Sequence, residues 1–344
     1  MHKLVSERLL LRPYKEDDFE AIHAYASHTE NTKFMLFGPN SEEDTRNFIM
    51  RQMSGYIKTP VEQHAFVVEA KNTGKLIGAC DLNLRGFDSE LGWILHRDFW
   101  NMGYGTEIGH ALLKFGFDGL GFHRMIARCH VDNVGSYRVM EKIGMRREAL
   151  HLDCRKNRSG ADKPLRDEYL YAILRDEWDV RKEIEYYNSL PCFFNGFIDV
   201  PLLTNGEVHL VCTDKGLGNN EADRAKKRVP MYSFAICKGS EKIGDINLRI
   251  GYTEGLYYGG QIGYGVDEVH RGNGYAVEAC KLLIPIAKAH RMDKLLITNN
   301  HENKASMRVC EKLGLKLIRT LRLPEWTDIY ASGQRFTNIY EWTI

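Results

Sequence analysis

One short pattern occurs twice in this chain: a glycine-rich turn set between an apolar run of strand character and a segment of helical periodicity. The first copy is Trp100-Asn101-Met102-Gly103-Tyr104-Gly105-Thr106-Glu107. The second is Arg271-Gly272-Asn273-Gly274-Tyr275-Ala276-Val277-Glu278, which puts Gly103 and Gly274 171 residues apart. Leu91-Gly92-Trp93-Ile94-Leu95 precedes one copy and Ile262-Gly263-Tyr264-Gly265-Val266 the other. Such a turn presents main-chain N–H groups at a helix N-terminus, where the partial positive charge favours a diphosphate. Glycine serves there because a side chain would hold the phosphate off and because positive φ is open to it. A lone turn of this kind says little. A second in the same context, half a chain later, requires the same local architecture to be built twice.

The length of 344 residues accommodates that repetition as two domains of ordinary size, each with its own core. Charged residues make up 27% and hydrophobic residues 43%, a soluble globular balance. The net charge is +1 and is spread evenly over the halves, so no basic footprint for nucleic acid exists. No apolar run approaches the roughly 20 residues of a membrane span. Leu9-Leu10-Leu11 is closed in by Arg8 and Arg12 and makes no signal peptide. The eight cysteines are scattered, with Cys192 and Cys212 the closest pair, which suits neither a metal site nor a disulfide framework. A reduced, cytoplasmic protein without metal is expected, as monomer or homodimer.

Taken in order, residues 4–12 read as a strand ended by Pro13. A helix follows with Phe19, Ile22, Tyr25 and Ala26 on one side. Residues 41–57 form a second helix, with Ser41 as N-cap and Asp44 three positions on. Strands at 65–70 and 75–84 meet across Asn72-Thr73-Gly74, and a strand at 90–95 leads into the first glycine turn and a helix to about Phe117. A strand at 124–131, a helix at 135–143 stopped by Gly144, and a strand at 168–174 complete the first half. The charged helical stretch after Arg175 reads as a linker, giving domains at 1–178 and 201–344 with residues 179–200 between them. In the second half, strands at 208–213, 232–237 and 242–250 precede the second turn. A strand at 295–299, a helix at 304–313 and strands near 315–321 and 335–342 follow it, while a polar basic segment reaches Arg228. Pro285 should kink or shorten the second turn's helix.

The second copy fits the acetyl-coenzyme-A signature of the GNAT N-acetyltransferase superfamily, Arg/Gln-x-x-Gly-x-Gly/Ala, from Arg271 to Ala276. The first departs at Trp100, a replacement common in the branch that resembles ribosomal-protein N-terminal acetyltransferases. Glu7-Arg8-Leu9-Leu10-Leu11-Arg12-Pro13 and Asp167-Glu168-Tyr169-Leu170-Tyr171-Ala172-Ile173-Leu174, followed by Glu177-Trp178, also resemble that branch. Downstream, the stretch from Asn133 through Ser136 to Glu141-Lys142-Ile143-Gly144 matches the one from Asn303 through Ser306 to Glu311-Lys312-Leu313-Gly314. It resembles the family's second cofactor segment. The resemblance implies an α+β fold of two similar domains, each a mostly antiparallel twisted sheet splayed at its centre with helices on both faces. A Rossmann domain is disfavoured, because the three-glycine fingerprint is missing.

The resemblance further implies an acetyltransferase that uses acetyl-CoA on a primary amine, either a protein N-terminus or a small amine such as an aminoglycoside, polyamine or amino acid. Such a reaction needs a neutral amine, a stabilised oxyanion and a proton for the leaving thiolate. Unpaired main-chain groups near Leu95 and Val266 would hold pantetheine and the thioester oxygen. The amides of Trp100, Asn101, Met102, Gly103, Tyr104 and Gly105 would take the diphosphate in one domain, and those of Arg271, Gly272, Asn273, Gly274, Tyr275 and Ala276 in the other, with Asn133 and Asn303 beside them. Many relatives carry a tyrosine seven residues after the asparagine, but here Met140 and Cys310 stand there. Ser136, with Ser306 as its counterpart, is the implied proton donor; a helix cap is the plainer reading of either. Glu90 and Asp81 are the candidate bases. Their counterparts Gln261 and Asn247 are uncharged, so the first domain is the better-equipped catalyst. An acyl-CoA-binding or regulatory module without turnover is the alternative for the second.

Overall fold

The computed structural model describes residues 2–58, 60–85, 88–157, 163–216 and 229–344. The chain divides into two units, Met1–Val180 and Arg181–Ile344. In the first, the strands are β1 (Leu4–Val5), β2 (Leu9–Arg12), β3 (Gln63–Ala70), β4 (Lys75–Arg85), β5 (Asp88–Leu95), β6 (Arg124–His130), β7 (Arg146–Lys156) and β8 (Leu165–Leu174). They form one sheet in the order β1-β2-β3-β4-β5-β6-β8-β7, antiparallel except where β5 lies beside β6. The helices are α1 (Phe19–Ala26), α2 (Thr29–Thr32), α3 (Glu42–Gly55), α4 (Tyr104–Lys114) and α5 (Val134–Lys142).

Period-two alternation sends successive side chains of a strand to opposite faces, and both faces here are apolar. Phe66 and Val68 of β3 join Ile108 and Leu112 of α4 and Met140 of α5 in one core. Ala65 and Val67, which alternate with them in sequence, pack with Ile22 and Tyr25 of α1 and Ile49 of α3 in another. The helices therefore cover the two faces of the sheet. α3 begins as its sequence indicates: the Ser41 hydroxyl accepts from the Asp44 N–H while the Asp44 carboxylate accepts from Ser41.

α6 (Arg175–Asn188) follows the sheet. The second unit holds β9 (Leu203–Thr204), β10 (His209–Gly216), β11 (Met231–Lys238), β12 (Glu241–Arg249), α7 (Glu254–Gly259), β13 (Ile262–Val266), α8 (Tyr275–Leu282), α9 (Ile284–Ala289), β14 (Lys294–Asn300), α10 (Lys304–Lys312), β15 (Lys316–Arg322), α11 (Asp328–Ala331) and β16 (Phe336–Thr343). The strand order repeats that of the first unit, but as two sheets, β13-β12-β11-β10-β9 and β14-β16-β15, separated where β5 meets β6 in the first. This is the mixed fold with splayed sheets that the resemblance implies.

Three differences from the sequence reading have physical causes, and the expectation for Pro285 holds. Residues 4–12 make two short strands that pair with each other, Leu4 opposite Leu11, because the chain reverses at residues 6–8. β7 was not anticipated: it lies at the sheet edge, nearly all its residues are exposed, and its sequence carries no apolar alternation. α7 is a six-residue helix capped by Thr253, too short for periodicity to reveal. Pro285 ends α8 at Leu282 and starts α9 in its first turn, as a residue without an N–H should. The polar basic segment before Arg228 lies largely outside the described residues.

Candidate active site

β5 and β6 run parallel and are paired only from Asp88 with Arg124 to Leu91 with Ala127. Beyond that point β5 stays on β4, Leu95 opposite Gly78, while β6 stays on β8, His130 opposite Glu168. The sheet therefore opens between residues 92–95 and residues 128–130. The far end of this gap is closed by a side chain. The Trp100 indole N–H donates to the Leu95 carbonyl at 2.9 Å, and the Asn31 amide donates to the same oxygen at 2.7 Å. In the second unit the Arg271 Nε–H donates to the Val266 carbonyl at 3.0 Å. The two residues that open the glycine turns thus do one job, which explains why tryptophan can stand where arginine is usual. The carbonyls of Leu95 and Val266 are thereby engaged, and β5 is free of β6 beyond Leu91.

After the clamp the backbone turns through positive φ at Asn101 (60°) and Gly103 (80°), and in the second unit at Gly272 (87°) and Gly274 (85°). α4 and α8 then start on Gly103 and Gly274 with no side chain capping either N-terminus. A Cβ at Gly272 or Gly274 would meet nothing within 4 Å, and one at Gly103 would meet only the Arg8 guanidinium at 3.4 Å. Each turn is lined by main chain, with its helix N-terminus uncapped by any side chain. Met102 is exposed and contributes its carbonyl to Arg8 rather than packing.

Sequence reading missed the cation beside each turn. Arg8 donates to Glu107 from both its main chain and its Nε, at 2.7 Å each, and lies over the Tyr104 ring at 4.5 Å. Lys238 takes the matching place over Tyr275, at 5.1 Å from the ring centre and 2.7 Å from its hydroxyl. Only the pairing of distant strands brings these cations to the turns; in sequence they are unremarkable basic residues. His96 and His270 do not enter the gap: His96 accepts from the Asp98 N–H and His270 pairs with Glu241.

α5 and α10 begin beside the gaps. Asn133 and Asn303 each accept from the N–H three residues on, at 3.1 Å, so both side chains are caps, and Ser136 and Ser306 are the recipients of the caps. Ser136 faces Cys129, on the part of β6 that has left β5; burial pushes the Cys129 thiol up to about 12, against the pull of that serine's hydrogen bond. The Ser306 hydroxyl lies 2.9 Å from the Tyr264 hydroxyl, on β13. Both serines sit at the gap, with neither serving as an N-cap.

On the α1–α3 face, Asp81 stands opposite Gly92 and Asn83 opposite Glu90. Asp81 Oδ2 accepts from Gln63 at 2.6 Å and Asn83 at 2.9 Å. A Cβ at residue 92 would collide with Asp81 Oδ1, so glycine there is a condition of the carboxylate's position. Glu90 is ion-paired with Arg128 at 3.1 Å. Of the two candidate bases, Asp81 and not Glu90 lines the cavity on this face, a space of about 190 Å³ floored by residues 92–94 of the open strand.

The second unit keeps the turn and alters this face. Gln261, fully buried, joins the two sheets: its N–H donates to the Leu296 carbonyl at 2.8 Å and its Oε1 accepts from the Leu296 N–H at 2.6 Å. Asn247 stands opposite Gly263 as Asp81 stands opposite Gly92, but beside the half-buried Arg249. Residues 13–62, which carry α1–α3 between β2 and β3, have only residues 217–230 as counterpart between β10 and β11. Among the described residues there is no cluster of metal-binding side chains and no helix long and apolar enough to cross a membrane.

The model of the Acetyltransferase (GNAT) domain matches residues 8–146 and again residues 207–316. Over 182 residues, 52% of this chain, the sequence is 34% identical to the whole of the uncharacterized N-acetyltransferase YnaD of Bacillus subtilis (strain 168). It is 28% identical over the same length to the uncharacterized N-acetyltransferase p20 of Bacillus licheniformis, covering 99% of that protein. A solved GNAT-family acetyltransferase from Bacillus anthracis shares 37% identity, covers 51% of this chain and 99% of its own, and superposes with a TM-score of 0.46. With two family matches spanning more than half of its length and a relative matched from end to end, this chain belongs to the GNAT family of acetyltransferases.

Proposed function

We propose that residues 1–178 transfer the acetyl group of acetyl-CoA to a primary amine, and that residues 201–344, beyond a linker at 179–200, hold the same coenzyme without turning it over. The observation that carries the first part is the convergence at one gap of an uncapped glycine turn, Ser136, and a cavity with Asp81 on its wall. GNAT acetyltransferases use acetyl-CoA, which supplies an activated acetyl carbon bound to sulfur. The turn amides of residues 100–105 take its diphosphate, with Arg8 adding positive charge at their side. The main chain of residues 92–94, free of β6, receives the pantetheine arm and the thioester oxygen.

The amine nitrogen's lone pair forms the new C–N bond as the C–S bond breaks, its electrons leaving on sulfur. The entering ammonium gives up two protons in all. Asp81 passes one to solvent, and Ser136 relays a proton to the sulfur, so the products are the amide, the free thiol and one released proton. Glu90 serves this scheme less well, because Arg128 already holds it. Since acetyl-CoA is an intracellular metabolite, the reading also places the protein in the cytoplasm.

The second half is read as a coenzyme-holding module because it retains the turn while Asn247 replaces the carboxylate, Gln261 joins the sheets, and only residues 217–230 link β10 to β11, against residues 13–62 between β2 and β3. Gly103→Asp and Gly274→Asp test the division of labour in the full chain. Aspartate tolerates positive φ better than most residues, and its charge repels a diphosphate. Gly103→Asp should lower turnover on an amine panel at least a hundredfold and Gly274→Asp far less; the reverse order overturns the assignment.

A further inference from the structure

The cavity beside β5 has a narrower chemistry than "primary amine". We infer that the acceptor is a small monoamine with an aromatic or similarly flat apolar body, its ammonium held by Asp81 and its body enclosed by the α1–α3 face of the first unit. This rests on the reading of that unit as the catalyst and adds the substrate class.

Size sets the first limit. An apolar cavity of about 150 Å³ admits benzene, so about 190 Å³ takes a ring with a short aminoalkyl arm. An aminosugar of several rings is too large to enter such a space. The walls set the second limit: Tyr14, Tyr25, Phe37 and Phe48 surround it, with Tyr14 and Tyr25 at 5% and 2% exposure. Aromatic faces accept both an apolar ring and a cation lying near them.

Charge sets the third. Among the described lining residues Asp81 supplies the one carboxylate, with no lysine, arginine or histidine beside it. Burial pushes the Tyr14 and Tyr25 hydroxyls and the Cys80 thiol upward, so they stay neutral. One carboxylate matches one ammonium, whereas the second ammonium of a polyamine would find no second carboxylate among the described lining residues. Gln63 and Asn83 fix the carboxylate by donating to Oδ2, and the Oδ1 side lies against Gly92 on the open strand. An amine held there arrives at the gap where the C–N bond must form.

The test is steady-state acetylation by the full chain of 2-phenylethylamine, spermidine, kanamycin and an alanine-initiated hexapeptide, with wild type, Asp81→Asn and Gly92→Ala. Wild type should show its highest kcat/KM on 2-phenylethylamine. Asp81→Asn should raise that amine's KM at least tenfold with the KM for acetyl-CoA unchanged, which also certifies that the variant is folded. Gly92→Ala should act in the same direction, since its Cβ displaces the Asp81 carboxylate without removing it. Preference for the peptide, kanamycin or spermidine, or an unchanged amine KM in Asp81→Asn, overturns the inference and leaves the catalytic reading standing. Failure of wild type to acetylate any of the four, with Gly103→Asp equally inert, overturns both.

Discussion

Trp100 and Arg271 show how a family signature can change its residue and keep its hydrogen bond. The shared requirement is one N–H able to reach back five residues to the carbonyl that ends the splayed strand, and both an indole and a guanidinium supply it. A hydrogen bond of this kind contributes about 1 kcal/mol, and leaving a part-buried carbonyl short of a donor costs a similar amount. Trp100→Phe should therefore lower the stability of the first unit by about 1 kcal/mol and weaken acetyl-CoA binding, while Trp100→Arg should restore both. Denaturant unfolding and coenzyme titration of the two variants decide it. Equal behaviour of Phe and Arg would show that the indole acts by its bulk. At this scale the sequence was legible where chemistry is local: the glycines, the caps and Pro285 act through their immediate neighbours. It was illegible where a residue's partner lies far along the chain. Nothing near Arg8 or Lys238 announces Tyr104 or Tyr275, and nothing near Glu90 announces that Arg128 will engage it.

Between elements, the tie that sets α4 against the start of the sheet is Glu107. Burial alone would raise its pKa, but hydrogen bonds from the Ser6 hydroxyl and from the Arg8 main chain and guanidinium outweigh it. The folded value therefore lies below the ordinary 4.5. A depressed carboxylate contributes stability in full above its unfolded pKa and loses it as pH falls through the folded one. Glu107→Gln should destabilise the first unit by about 1–3 kcal/mol at pH 7, from charge-assisted hydrogen bonds lost. The gap to wild type should shrink as the pH drops below about 4. A difference that stays constant from pH 7 to pH 3 would show that the carboxylate's charge has no part in the tie. Element existence was largely readable from periodicity, because the buried faces of β3 and α4 recur at 2 and 3.6 residues. The exposed edge strand β7 and the six-residue α7 were not, since neither carries enough buried side chains to imprint a period.

For the molecule as a whole, the two halves share strand order, glycine turn and serine position, and differ on the face where an acceptor would enter. The shared parts, which the proposed coenzyme role uses, were legible as repeated motifs. The difference lies in what covers the sheet, and sequence revealed only its outline: a neutral pair, Asn247 and Gln261, where the first half has acids. That Gln261 joins two sheets by hydrogen bonds in both directions followed from neither its type nor its neighbours. The central claim is that each half cradles acetyl-CoA by main-chain nitrogens at a glycine turn. Calorimetric titration of the intact chain with acetyl-CoA tests it most directly. Two equivalents should bind to wild type, and one to each of Gly103→Asp and Gly274→Asp. No uptake by wild type, or two equivalents still bound by both variants, would contradict it.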